Sequence, residues 1–292
     1  MGLELPRQPP EGAVLWPAAG ARVFTTGRLP LPEPLAEVAA YYWSVTWRRE
    51  EPAPFRQGVL GHPVTHLTVE AAEGGLLHGL PVPAALVHGL VTRVFTVDLP
   101  VAGRVAGIAF HPGGLAALLG RGVAGLTDAV VPAGTVLGDD VGSLIAAVLA
   151  EDDDAARRDV AAGFLTGLLA PRLAEVRADD GYRTVRRAVE LMRRREHVAV
   201  GSVAEELHVS VRSLQRLFAR YVGASPLWVL RRYRLQDAVA ALDSGEGKDL
   251  AGLAATLGFA DHAHLTRALT EAIGVPPSQY RTGERPAAEP PR

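Results

Sequence analysis

The sequence predicts an α+β protein: a small antiparallel β-sheet domain with helices, followed by an all-α domain of two helix-turn-helix units. Three observations predict it. Short aromatic and β-branched segments with period-two alternation lie between residues 40 and 112. From residue 141 the apolar period becomes helical. Within residues 200–282 one pattern of small, apolar and capping residues occurs twice, about 50 residues apart.

Residues 1–34 are rich in Pro and Gly and carry little periodic structure. Glu33–Ala40 reads as a short helix, with Pro34 tolerated in its first turn. Tyr41–Trp47 is aromatic and β-branched and reads as a strand. Val59–Glu70 contains a second strand, with Val64, Leu67 and Val69 near its centre. Thr92–Leu99 alternates, with Val94, Thr96 and Asp98 on one face and Phe95, Val97 and Leu99 on the other. Arg104–Phe110 is a further strand. It breaks at His111-Pro112-Gly113-Gly114, before a short helix over Leu115–Leu119. Val141–Ala150 and Ala155–Leu169 read as helices, separated by Glu151-Asp152-Asp153-Asp154. That acidic run suits a solvated helix start, where negative charge favours the macrodipole. Pro171 and the polar segment 177–181 predict a linker over 171–182. The Pro-rich end, 283–292, reads as a disordered tail.

Composition narrows the function. The chain has 292 residues, 48% of them hydrophobic, a net charge of −2 and no cysteine. The absence of cysteine excludes disulfide scaffolds, thiolate zinc sites and thiol nucleophiles. No apolar run reaches the ~20 residues of a membrane span, and the N-terminus lacks a signal-peptide pattern. A cytoplasmic location without membrane contact is the expectation. The near-neutral total hides an asymmetry. Residues 181–285 hold 16 Arg or Lys and 11 Asp or Glu, a net of +5, which leaves −7 for the rest. A basic C-terminal third suits a polyanionic partner.

The repeat supplies the partner. In the first unit Ala204 is small where helices cross, and Leu207 and Val209 bury the turn. Ser210 suits an N-cap, and Leu214, Leu217 and Phe218 form one apolar face. Arg212, Ser213, Gln215 and Arg216 point away from that face. In the second unit Ala254 matches Ala204 and Gly258 matches His208, a left-handed turn position. Asp261 suits the N-cap, Leu265 and Leu269 match Leu214 and Phe218, and His262, His264, Thr266 and Arg267 face outward. Gly274 and Pro277 match Gly223 and Pro226. Between the units, Ser225 caps a helix over Pro226–Leu242, about 25 Å long at 1.5 Å per residue. It reads as a rigid spacer that sets two recognition helices in successive major grooves.

Leu214-Gln-Arg-Leu-Phe218, Gly223-Ala-Ser-Pro226, Arg234-Leu235, Gly258-Phe259 and Gly274-Val-Pro-Pro-Ser-Gln-Tyr-Arg281 resemble the AraC/XylS family of bacterial transcription regulators, over residues 183–282. The resemblance implies double-stranded DNA as partner. Arg212, Gln215 and Arg216 would sit on the first recognition helix, and His262, His264 and Arg267 on the second. Two departures stand out. Leu265 and Leu269 replace frequent phenylalanines, and Thr270-Glu271 replaces a frequent basic pair.

Residues 1–170 are expected to sense an effector or to dimerise. Tyr42-Trp43, Arg56-Gln57, His62-Pro63, His66-Leu67 and Gly107-Ile-Ala-Phe-His-Pro-Gly-Gly114 are similar to an N-terminal domain of some actinobacterial members of that family, cupin-like or related. Candidate effector-binding residues are Tyr42, Trp43, Trp47, Phe55, His66, Phe95 and Phe110. Tyr42 and Trp43 point to opposite faces of their strand. Of the histidines His62, His66, His78, His88 and His111, His62 and His66 would share a strand face, but Pro63 interrupts it. No metal, other cofactor or catalytic residue is expected, and the alkyl-transfer repair version of such a DNA reader is excluded because it needs cysteines. The chain is thus expected to be an effector-controlled regulator rather than an enzyme. Expected partners are DNA, a small molecule, RNA polymerase and a second copy of itself through residues 141–170. The alternatives are a ligand-independent regulator and a metal-dependent cupin-like enzyme fused to a DNA reader.

Overall fold

The computed structural model describes residues 13–50, 55–138, 140–194, 199–247 and 249–283. Residues 1–12 and the expected tail from 284 onward lie outside the described residues. The strands are β1 (Ala13–Val14), β2 (Phe24–Leu29), β3 (Ala39–Arg48), β4 (Phe55–Leu60), β5 (His66–Ala72), β6 (Leu76–Leu77), β7 (Leu80–Pro81), β8 (Ala84–His88), β9 (Phe95–Leu99), β10 (Ala102–Phe110) and β11 (Val130–Pro132). A larger sheet has the order β11-β8-β5-β10-β3-β2 and a smaller one β1-β4-β9, both antiparallel; β6 and β7 form a separate hairpin.

The helices are α1 (Pro17–Gly20), α2 (Gly114–Leu119), α3 (Gly134–Leu137), α4 (Val141–Ala150), α5 (Asp154–Leu169), α6 (Leu173–Ala178), α7 (Asp180–Arg193), α8 (Val200–Glu206), α9 (Val211–Tyr221), α10 (Pro226–Asp243), α11 (Leu250–Thr256), α12 (His262–Ile273) and α13 (Pro277–Thr282). The protein is α+β, with an N-terminal antiparallel sheet domain and a C-terminal helical region.

Several elements differ from the sequence expectation. Val59–Glu70 is two strands, because Gly61 and Pro63 sit in the break between β4 and β5. Glu33–Ala40 shortens to one 3₁₀ turn at Leu35–Glu37 before β3 begins. Thr92 precedes β9, its N–H and hydroxyl held by Asp128 at 2.6 and 2.5 Å. The Pro-rich start supplies β1, α1 and β2, and the sequence reading passes over β8. In β8 Ala85, Leu86 and Val87 are all buried, so alternation gives no signal there.

One face of the larger sheet packs under the helices. Tyr42, Leu67, Val69, Val87, Ile108 and Phe110 meet Leu144, Val148, Ala161 and Leu165, and the same core continues to Val185, Leu214 and Phe218. The acidic run does more than cap. Asp153 accepts from the N–H of Ala155 and Ala156, as a helix start should. Asp154 instead turns inward and accepts from Tyr42 Oη at 3.0 Å and Ser44 Oγ at 2.6 Å, tying α5 to β3.

The expected linker is built of helical segments. Residues 171–182 form the end of a 3₁₀ turn, α6 and the start of α7. Asp179 caps α7 and accepts from Tyr221 Oη at 2.7 Å, and Tyr182 Oη donates to Glu37 O at 2.9 Å. A second core joins Leu15 and Leu60 to Val239, Leu253, Leu265 and Leu269. Trp16 stacks on Tyr280 with ring centroids 4.9 Å apart. The sheet domain therefore contributes side chains to the cores of both helix-turn-helix units.

Candidate nucleic-acid interface and effector cavity

The two helix-turn-helix units are α8–α9 and α11–α12, with α10 between them. Each turn has its left-handed residue where the repeat demands one: His208 at φ 54° and Gly258 at φ 70°. Ser210 Oγ accepts from Ser213 N at 3.0 Å and also lies 2.9 Å from Ser213 Oγ. Asp261 accepts from His264 N at 2.7 Å, and that backbone hydrogen bond holds its carboxyl below the ordinary carboxylate range. Ser210, Ser213 and Asp261 are thus engaged in fixing helix starts.

Leu214 and Phe218 turn into the core, which leaves Arg212, Gln215 and Arg216 exposed on α9. On α12 Leu265 and Leu269 are buried, His262 and Arg267 exposed, and Thr266 half-buried. His264 is also half-buried, its ring edge-on to Phe259 at 5.3 Å, so it presents less of its surface than His262. Arginine forks and the Gln215 amide offer the donor and acceptor sets that read guanine and adenine edges in a major groove.

The expected spacer helix α10 is also a core element. Val229, Leu230, Arg232, Tyr233, Leu235, Gln236 and Ala238 are buried around its circumference. Arg232 donates to Thr92 O and stands over the Trp228 ring, 4.7 Å from its centroid. Gln236 Nε2 donates to Leu60 O at 3.0 Å. One bond reaches from the DNA-binding region to the end of β4 in the smaller sheet, the other to the segment just before β9.

The opposite face of the larger sheet lines a cavity of about 580 Å³, shared with the smaller sheet. Trp43, Trp47, Phe95 and Val97 supply apolar wall; His62, His66, Glu70, His78 and His88 supply polar groups. Two glycines make room for the tryptophans. Gly103 pairs with Trp47 and Gly107 with Trp43, and a Cβ at either position would sit 2.3 or 2.6 Å from the indole. Trp43 Nε1 donates to His66 Nδ1 at 3.1 Å. Burial, then the fields of His88 and His62, pushes the His66 imidazole down to about 3. His62 goes down to about 4, through burial and the nearby Arg193 and Arg28.

At one end of this cavity Glu70 is only 1% exposed. Its Oε1 lies 2.8 Å from His88 Nε2 and its Oε2 3.1 Å from His78 Nε2. Thr68 Oγ1 donates to Oε1 at 2.7 Å. Burial pushes the carboxyl up, but the close His78 and His88 imidazoles outweigh it and hold it well below the ordinary range. The ligating atoms of the three residues all lie within 4.8 Å of one another.

The structure thus brings Trp43, Trp47, His66 and Phe95 to the cavity, and leaves three candidate effector residues off it. Tyr42 and Phe110 lie on the helix-facing side, each 0% exposed, because strand alternation turns them from Trp43. Phe55 packs beside Trp47 and Leu99 at the start of β4, outside the lining. His62 and His66 share the cavity but not a strand face, since His62 lies in the break before β5. Sequence reasoning missed Glu70, His78 and His88 as a group. The alternation His66, Thr68, Glu70 along one strand was the available signal; the hairpin that returns His78 was not.

Comparison with known proteins follows the same division. Residues 203–283 match a family described as a helix-turn-helix domain, and residues 28–132 match a domain family of unknown function, DUF6597. No curated protein matches the chain. Among solved structures, the C-terminal domain of AraT, a response regulator from Geobacillus stearothermophilus, is 29% identical over 36% of this chain and 88% of its own, with a TM-score of 0.32. ToxT from Vibrio cholerae is 11% identical over 89% of this chain and 98% of its own, with a TM-score of 0.40. Unsaturated fatty acid-bound ToxT is 10% identical over 91% of this chain and 98% of its own, with a TM-score of 0.38. Among the described residues no helix is long and apolar enough to cross a membrane. On the two family matches alone, the chain carries an AraC-type helix-turn-helix domain of a DNA-binding transcription regulator at its C-terminus, joined to an N-terminal DUF6597 domain.

Proposed function

We propose that this regulator reads two successive major grooves through α9 and α12, and that a small, mostly apolar molecule in the cavity controls it. Arg212, Gln215 and Arg216 read the first half-site. His262 and Arg267 read the second, with His264 and Thr266 at its margin. The observation that carries the control is the cavity's wall: Val239 and Asp243, both on α10, line it together with strands of both sheets. A molecule there touches the helix that joins the two DNA readers. About 580 Å³ lies within the range of small-molecule sites, and the lining is mainly apolar with a few polar groups. Ligand controls DNA affinity only through unequal affinity for two arrangements of α10 against the sheets. RNA polymerase and a second copy of the chain complete the expected set of partners.

The test begins with selection of DNA fragments from a random pool by the full-length protein. Affinity for the selected fragment is then measured with and without the small-molecule fraction of a cell extract. The reading expects a change of about 5–150-fold, abolished by Val97→Trp, which fills the cavity. An unchanged affinity, or an equal change in Val97→Trp, refutes effector control through this cavity.

A further inference from the structure

We propose that Glu70, His78 and His88 bind a divalent first-row transition-metal ion at the end of the cavity. This site does not rest on effector control, and metal uptake is measured without DNA or effector.

Three features converge on it. The first is the donor set. Two imidazole Nε2 atoms face the two oxygens of one carboxylate, at 2.8 and 3.1 Å. Two nitrogens and a carboxylate suit zinc, iron, nickel or manganese rather than calcium or magnesium. Ligand atoms around a tetrahedral ion with ~2.0–2.1 Å bonds stand about 3.3 Å apart, so small side-chain rotations admit the ion. To bind, each neutral ring takes the tautomer with its one proton on Nδ1, which frees the Nε2 lone pair for the ion.

The second feature is an incomplete pairing. Glu70 is 1% exposed, yet Oε2 has no well-formed hydrogen bond, its contact with His78 being close but misaligned. A buried carboxylate oxygen without a full partner is costly unless something satisfies it. The third feature is backbone. His78 is the first of two residues linking β6 to β7, with His78 at φ 54° and Gly79 at φ 74°. Both signs match a two-residue turn that favours Asn or Gly at the first position. A histidine there is held in a sparsely populated conformation, and its ring lies against His88 and Phe95, each with centroids 5.1 Å away.

Thr68 completes the site from outside, its hydroxyl orienting Glu70 Oε1 at 2.7 Å. Three protein ligands leave at least one coordination position for a water or a ligand group in the cavity.

The experiment uses the full chain, stripped with chelator, dialysed and titrated with Zn²⁺, with Co²⁺ as a spectroscopic probe. The expectation is one equivalent bound per chain and the ligand-field bands of low-coordinate Co²⁺. His78→Asn keeps the left-handed turn and removes one ligand, and Glu70→Gln removes another. Each should weaken binding by more than the ~10–100-fold that loss of an outer partner costs, and Thr68→Val by about that amount. His62→Ala, a cavity residue outside the ligand set, should bind as the parent does. No uptake by the parent chain, or equal affinity in folded His78→Asn, overturns the site. So does loss of uptake in His62→Ala while His78→Asn is unaffected.

Discussion

Replacing Leu60 with alanine should loosen the sheet domain and the second helix-turn-helix together. Leu60 belongs to β4, yet it is 0% exposed because it packs with Leu235, Val239, Leu253 and Leu265. Three carbons leave the core. At ~0.8 kcal/mol per buried CH₂ the transfer loss is about 2.4 kcal/mol, and the cavity left behind brings the total to about 3–4 kcal/mol. With ~2.1 cal/mol/K per residue, unfolding the 292-residue chain as one unit carries an entropy of about 0.6 kcal/mol/K. The expected fall in Tm is then about 5–7 °C, in one transition seen equally by far-UV circular dichroism and tryptophan fluorescence. If the DNA-binding region melted alone, its smaller entropy would make the fall more than twice as large and confined to helical signal. DNA affinity measured well below Tm should survive the substitution, while any effector response should weaken, because α10 loses one of its holds on the sheets. A loss below 1 kcal/mol, or two separate transitions in the parent protein, would refute the coupling inferred from this shared core.

Arg216→Ala and Arg267→Ala should each relax sequence preference by ~1–3 kcal/mol at one position of the selected DNA, read by competition between matched and mismatched fragments; a uniform, salt-dependent loss would mark them as phosphate contacts instead. Gly89→Ala should prevent native folding or depress Tm strongly, since its Cβ would fall 1.6 Å from Leu126 O, and a protein of unchanged Tm would contradict that packing. Stability should fall in acid. His62 and His111 are both held down to about 4, chiefly by burial, against about 6.5 in an unfolded chain. Their contribution is fully present above pH 6.5 and is lost as pH falls toward 4, because the unfolded chain then binds the extra protons. With His66, held down to about 3, three such protons give a slope of about 4 kcal/mol per pH unit near pH 5, measurable by urea titration; a flat profile would refute it.

Much of the DNA reader was legible in the sequence, and for a physical reason. Its signals are local: a cap at Ser210 or Asp261, a left-handed position at His208 or Gly258, and apolar residues at helical spacing. Each acts within one or two turns of chain, so residue order alone records it. The cavity is not local. Glu70, His78 and His88 meet because β5, a tight hairpin and β8 fold back on one another, and separations of 8 and 10 residues carry no signature of that. Alternation did separate Tyr42 from Trp43, but which face looked into a cavity depended on where α5 packed.

By itself the sequence determined the fold class, the two helix-turn-helix units, the exposed positions Arg212, Gln215, Arg216, His262 and Arg267, and a basic charge suited to DNA. Tertiary structure alone decided that α10 is no free spacer. Its burial by Leu15, Leu60 and the cavity wall follows from long-range packing, such as that of Gln236 on Leu60, 176 residues apart. Local propensity makes α10 a helix; only the sheets beside it make it part of the cavity wall.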